Sequence, residues 1–198
     1  MSLVAGGGLI RALCCFIIPR VGGMSQNTDV TIRRANPEDA GLLAELGART
    51  FSETFAADNS PDDMATYLAA SFNPAQQAAE LADPASTFLI AEVGGIAAGY
   101  AKLHAGEPAE RVEGQKPVEL VRLYVLQEWL GRGVGAGLMR ACVGEARRAG
   151  YGAIWLGVWE RNGRAQAFYR KWNFREIGEH MFQLGSDPQR DILMERAV

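Results

Sequence analysis

Hydrophobic residues recur along this chain at two spacings, and the spacing changes wherever turn-forming residues stand. VTIRR, from Val30 to Arg34, alternates apolar and polar side chains as a half-buried strand does. NPED follows, with Pro37 suited to a first helical position, and Leu42, Leu43, Leu46, Phe51 and Phe55 then trace one face of a helix. Two shorter helical patterns each open on a capping residue and a proline, Ser60 with Pro61 and Asn73 with Pro74. Thr87–Val93 and Ile96–Leu103 read as strands joined at Gly94 and Gly95, the strongest hairpin signal in the sequence. After a polar loop over His104–Pro117, Val118–Val125 reads as a strand. Val134, Leu138 and Cys142 then recur at every fourth position beside Met139, Val143 and Ala146, which predicts a helix with one apolar face. Ala153–Val158 is a further strand, Asn162–Trp172 a short helix, and strands are predicted near Phe174–Phe182 and Asp191–Arg196. The order βαα(α)ββ followed by βαβαββ predicts one mixed α/β domain of the α+β kind.

The helix over Val134–Arg148 stops as expected, with Arg147 and Arg148 at its negative end and Gly150 placed for a left-handed cap. Its start is unusual. Gly131, Gly133, Gly135 and Gly137 stand at alternate positions, and residues 131–138 contain no Ser, Thr, Asp or Asn to take an unpaired N–H. Glycines let a backbone approach a ligand closely, and a bare helix N-terminus attracts an anion, so phosphate is one natural partner. A tight strand-to-helix turn with water on its amides is the other reading. Gly131, Gly133 and Ala136 also match the dinucleotide fingerprint G-x-G-x-x-G/A. Against that, QEWL intervenes between strand and first glycine, and two strands and one short helix are too little for a second mononucleotide half. A P-loop is excluded because no Gly-Lys-Ser/Thr follows.

Composition narrows the function further. The 198 residues are 48% hydrophobic and 22% charged, as in a soluble globular protein, and allow one domain with a sizeable core. A formal charge of −3 with no Lys/Arg run argues against nucleic acid as a partner. Three cysteines, with Cys14 and Cys15 adjacent, form no metal spacing and no disulfide framework, and His104 and His180 are the only histidines. No metal is expected, and a reducing cytoplasm is the simplest location. LIRALCCFII near the N-terminus is too short to span a bilayer, so no membrane partner is expected. Residues 1–23 read as a mis-chosen start or a disordered extension ahead of Met24, against the alternative of a signal segment, with the domain over 24–198. Between Asn36 and Asp83 nine acids face one base, Arg49, a net −8 that leaves +5 for the remainder.

The strand ending LYV, the loop and helix GRGVGAGLM, the next strand, and then Asn162, Ala165, Phe168 and Tyr169 with a downstream NF resemble the GCN5-related N-acetyltransferases (GNAT). The resemblance runs from about Val30 to the C-terminus. It implies a single GNAT-like domain around a central mixed, mostly antiparallel sheet of about six or seven strands flanked by helices. ELVRLYV, IWLGVWERN with AQAFYRKWNF, and GEHMFQLGSDPQRDILMER are similar in addition to bacterial PaiA-type spermidine/spermine N-acetyltransferases. One departure is Leu130, where the family motif carries Gln or Arg and hence one more hydrogen bond.

What the resemblance implies is acetyl-CoA-dependent transfer to a primary amine, in a ternary complex, with a polyamine as acceptor. Gly131, Arg132, Gly133, Val134, Gly135 and Ala136 correspond to the loop that holds the pyrophosphate of acetyl-CoA through backbone amides. Leu123, Tyr124 and Val125 correspond to the strand whose freed amides meet pantetheine and the thioester oxygen. Asn162 corresponds to a pantetheine contact, and is equally a helix cap. Tyr169 corresponds to the general acid for the leaving thiolate, against the alternative of core packing beside Phe168. Glu119 shares a strand face with Val121, Leu123 and Val125 by strict alternation. An acid there is costly to bury without work, and the resemblance implies a carboxylate at this position that takes the amine's proton through water, which makes Glu119 the general-base candidate, against a strand-edge charge reaching solvent. Lys171 near the coenzyme A phosphates is set against an ordinary solvated lysine. The expected partner is a small-molecule amine, with a homodimer left open. The competing functions are acetylation of protein N-termini or lysines, and a non-catalytic acyl-CoA sensor.

Overall fold

Three of the first four helical starts are fixed by a side chain and a proline together. Asn36 accepts from the Glu38 N–H at 2.9 Å ahead of a turn of 3₁₀ helix at Pro37–Asp39, which leads into α1 (Ala40–Phe55). Ser60 accepts from the Asp63 N–H ahead of α2 (Pro61–Ser71), and Asn73 from the Gln76 N–H ahead of α3 (Pro74–Ala82). Each proline sits where its missing N–H costs nothing. The computed structural model describes residues 29–184 and 187–198, so the reading of residues 1–23 lies outside the described residues.

The strands are β1 (Val30–Arg34), β2 (Ser86–Val93), β3 (Ile96–His104), β4 (Pro117–Val125), β5 (Ala153–Trp159), β6 (Arg175–Leu184) and β7 (Asp187–Ala197). The remaining helices are α4 (Val134–Arg148) and α5 (Gly163–Lys171). Gly94 and Gly95 turn the β2–β3 hairpin with φ of +58° and +80°, the left-handed backbone that such a turn requires. Strand β7 begins at Asp187 rather than Asp191, because pairing with β6 runs out to Leu184 opposite Asp187. All seven strands form one sheet, ordered β1-β2-β3-β4-β5-β7-β6, and every pairing is antiparallel except β4 with β5.

Helices cover both faces, giving two cores. Leu138, Met139, Cys142 and Ala146 of α4, with Ala165 and Tyr169 of α5, pack on Leu120, Leu123 and Val125 of β4 and Ile154, Leu156 and Val158 of β5. On the other face, Leu43, Phe51 and Phe55 of α1 and Met64 and Tyr67 of α2 pack on Tyr100, Tyr124, Leu126 and Trp159. Leu120 and Leu123 share a face despite an odd spacing, since a bulge sets Lys102 opposite Arg122 and Leu103 opposite Leu120, with Val121 as the extra residue. Strict alternation is therefore corrected here. Glu119, before the bulge, lies on the face of Arg122 and Tyr124, not that of Leu123 and Val125.

Candidate active site

The start of α4 is as bare in the structure as in the sequence. Gly133 precedes the helix with φ +87° and offers no side-chain cap, and Gly131 has φ +74°. The first intrahelical bond runs from the Gly137 N–H to the Gly133 carbonyl at 2.9 Å. The N–H groups of Val134, Gly135 and Ala136 precede that bond and point out along the helix axis. The last of the alternate glycines serves packing instead: a Cβ at Gly137 would lie 3.4 Å from Val30 of β1. A cleft of about 170 Å³ opens on this turn, lined by Val125, Trp129, Leu130, Gly131, Gly133, Gly135, Ala136 and Phe168. The Arg132 guanidinium lies 5.2 Å over the Trp129 ring, an exposed cation beside the amides.

Beside this cleft the sheet forks. Strands β4 and β5 pair only at Pro117, Val118 and Glu119, opposite Ala153, Ile154 and Trp155. Beyond those residues β4 keeps its bonds to β3 alone. The Leu126 N–H donates to the Ala98 carbonyl of β3 at 3.0 Å, so by alternation the N–H groups of Val125 and Leu123 face the open side of the fork. Tyr124 points its ring away, edge-on to Tyr100 at 5.5 Å.

Helix α5 closes the fork from the α4 face. Asn162 accepts from the Ala165 N–H at 3.0 Å and so caps the helix. Gln166 binds the Trp159 and Glu160 carbonyls at 3.2 and 2.9 Å, tying α5 to the end of β5. Tyr169 is fully buried, its ring 5.5 Å from both Phe168 and Phe174, while Phe168 is half-buried and lines the cleft. Glu119 is also buried and stands at the crotch of the fork, opposite His104 on β3 and Trp155 on β5. Lys171 is exposed.

The acidic segment looks different once folded, because cations from outside it lie against its acids. Arg33 binds Asp39 at 2.8 Å, while Arg122 and Lys102 hold Glu80 at 2.6 and 2.8 Å. Burial pushes the Glu80 carboxyl up, but the charges and hydrogen bonds of Arg122 and Lys102 outweigh it and hold Glu80 at about 2. Glu38, Glu45, Asp58 and Asp62 remain exposed. Two buried groups near the fork were not singled out in the sequence, Asp191 and Gln189 of β7. The signal was present for Asp191, an acid sharing its strand face with Leu193, the same anomaly that pointed to Glu119. Among the described residues no group of three or more His, Cys, Asp or Glu side chains could hold a metal, and no helix is long and apolar enough to cross a membrane.

Comparison with known proteins agrees with this architecture. The profile of the Acetyltransferase (GNAT) family matches residues 49–174. An uncharacterised N-acetyltransferase of Lactobacillus delbrueckii subsp. lactis is 33% identical over 171 residues, covering 86% of this chain and 99% of the relative. One from Mycobacterium bovis is 35% identical over 160 residues, covering 81% and 98%. Among solved structures, the PaiA N-acetyltransferase of Thermoplasma acidophilum, in complex with coenzyme A, superposes with a TM-score of 0.70 at 21% identity, covering 86% of this chain and 99% of that one. That level of identity speaks to the fold, which is the same single domain with helices on both faces of a mixed sheet. With the profile and the relatives in accord, the chain belongs to the GNAT family and is an acetyl-CoA-dependent N-acetyltransferase.

Proposed function

We propose that the acceptor is a primary amine, specifically a polyamine such as spermidine or spermine, acetylated by direct transfer within a ternary complex. The observation that carries the placement of the chemistry is the fork at Glu119 and Trp155, open beside the uncapped start of α4. The residues present there fit acetyl-CoA. Gly131–Ala136 supplies amide donors and the left-handed turns that let a backbone approach a diphosphate, with Arg132 adding charge. Acetyl-CoA supplies an acetyl group activated as a thioester. In this reading the Val125 N–H supports the thioester oxygen and Leu123 offers its backbone groups to pantetheine along the opened edge of β4, whereas the backbone of Tyr124 faces β3 and leaves that residue without this role. Asn162, as the α5 cap, holds that helix and meets the same arm. Tyr169 donates its hydroxyl proton toward the sulfur, and Glu119 takes the amine's proton through water from the opposite face.

The polyamine reading rests on the sequence similarity to PaiA-type enzymes and on the exposed acids of α1, α2 and their flanks. Trp129 separates the glycine-lined cleft from a second one of about 220 Å³, which carries Glu45 and Glu128 with Arg49. A polycation is drawn to such acids more strongly than a monocation, and salt screens the difference beyond about 8 Å at physiological ionic strength. The test is kcat/KM for spermidine against a monoamine of similar length, at low and high salt. Preference for spermidine that shrinks as salt rises supports the reading. Equal activity on both, or activity on peptides only, refutes the polyamine acceptor while leaving the transferase intact.

A further inference from the structure

One pair of buried groups has no part in the chemistry above. Asp191 is 2% exposed and Gln189 is 6% exposed, and they occupy alternate positions of β7, hence the same face of the strand. Among the described residues neither Oδ1 of Asp191 nor Oε1 of Gln189 has a hydrogen-bond partner. The orientation of the Gln189 amide is fixed, since its Nε2 donates to Asn59 Oδ1 at 2.6 Å and Asp187 Oδ2 at 2.9 Å. Two acceptors therefore stand beside each other, both short of donors, where buried polar atoms are normally satisfied. Glu195, further along the same face, is satisfied: it accepts from the Gly114 N–H at 2.8 Å.

The packing around Asp191 depends on a glycine. A Cβ at Gly157 of β5 would lie 3.1 Å from Asp191 Oδ2 and 2.9 Å from His180 Cε1. Gly157 belongs to the part of β5 that has left β4, so the pair sits behind the fork on the face that α1 and α2 cover, the face of Glu119 and Tyr124. Strand β7 is the next strand beyond β5, roughly two strand spacings or ~10 Å from β4. The titratable groups facing Asp191 are His180 of β6, with Nε2 4.0 Å from Oδ2, and Tyr67 of α2, whose phenol burial pushes up to about 12. Gly157 and Trp159 bring no charge from β5, and Arg122 of β4 is tied to Glu80. Burial pushes the Asp191 carboxyl up to about 7.

We infer that Asp191 and Gln189 form a subsite for a second, non-reacting cationic nitrogen of the acceptor, an alkylammonium whose N–H groups satisfy both oxygens. An ammonium carries three donors and a charge, which matches one carboxylate oxygen and one amide oxygen better than water does. The subsite makes the enzyme selective for diamines and polyamines over monoamines, and it rests on the amine-transfer reading above.

The probes are 1,4-diaminobutane and n-butylamine, which differ by one terminal nitrogen. The wild-type enzyme is expected to acetylate the diamine with the lower KM, and that KM is expected to fall as pH rises through about 7, where Asp191 gains its charge. Asp191→Asn should raise the diamine KM roughly 10-fold or more, with kcat for n-butylamine retained, and should abolish the pH dependence of KM. Asp191→Glu should keep part of the preference. Calorimetric coenzyme A affinity equal to wild type shows that each variant is folded. If the wild-type enzyme acetylates neither amine, the amine reading falls and the subsite with it. If it acetylates both with equal KM, or if Asp191→Asn keeps the diamine preference, the subsite alone is refuted.

Discussion

Glu80 is a half-buried carboxylate and Asp191 a buried one, yet their surroundings drive them in opposite directions, and the stability of the protein should record it. Glu80 lies below its ordinary 4.5, at about 2, so its contribution is complete above 4.5 and is lost as pH falls toward 2. Asp191 lies above its ordinary 3.8, at about 7, so the folded state holds the extra proton and stability declines as pH rises from about 4 to about 7. The Asp191 effect is worth roughly 4 kcal/mol, since each tenfold change in proton affinity corresponds to about 1.36 kcal/mol. Melting temperature measured against pH should therefore peak on the acid side of neutrality, and Asp191→Asn should remove the decline toward pH 7. A melting curve unchanged by that substitution would contradict the upward shift by burial. Tyr169 is judged by catalysis. Tyr169→Phe should lower kcat by about 10²–10⁴ while leaving coenzyme A affinity in place, because in the proposed mechanism the hydroxyl acts as the thiolate departs. Wild-type turnover would reduce Tyr169 to its packing against Phe168 and Phe174.

At the level of elements, the proposed function makes α4 and the β4–β5 fork one device. A helix that begins without a cap would ordinarily be a weak start, since a missing cap costs about 1 kcal/mol. Here Val134, Leu138 and Cys142 are fully buried against the sheet, which holds the helix in place without a cap. Gly135→Asp puts bulk and negative charge among those amides, so coenzyme A affinity measured by calorimetry should fall at least 10-fold. Unchanged affinity would move the diphosphate elsewhere. Gly133→Ala tests the backbone alone: nothing lies within 4 Å of a Cβ there, so the change should cost only the left-handed strain, about 1–2 kcal/mol, read as a lower melting temperature.

Across the whole molecule, local signals were legible and long-range register was not. Ser60, Asn73, the paired glycines of the β2–β3 turn and the bare start of α4 announce themselves in the sequence, because caps and turns are decided by a few neighbouring residues. The order of elements, and with it the two-faced sheet, followed from them. The bulge at Val121 left no local mark. It depends on how β4 meets β3, and it moved Glu119 to the opposite face from Leu123 and Val125. The charge count of the Asn36–Asp83 segment was misleading for the same reason, since Arg33, Lys102 and Arg122 come from three other strands to meet its acids. Gln189 was hidden because a polar residue on a strand face is ordinary until its burial is known, whereas Asp191 was marked as an acid sharing its strand face with Leu193.

The central claim is that donor and acceptor meet in the fork between β4 and β5, with coenzyme A anchored at the start of α4. A crystal structure of the coenzyme A complex tests it most directly. The account predicts the diphosphate on the amides of Val134, Gly135 and Ala136, the pantetheine along the open edge of β4, and the sulfur within reach of Tyr169. Coenzyme A bound away from that helix start, or a fork closed by continued pairing of β4 with β5, would contradict it.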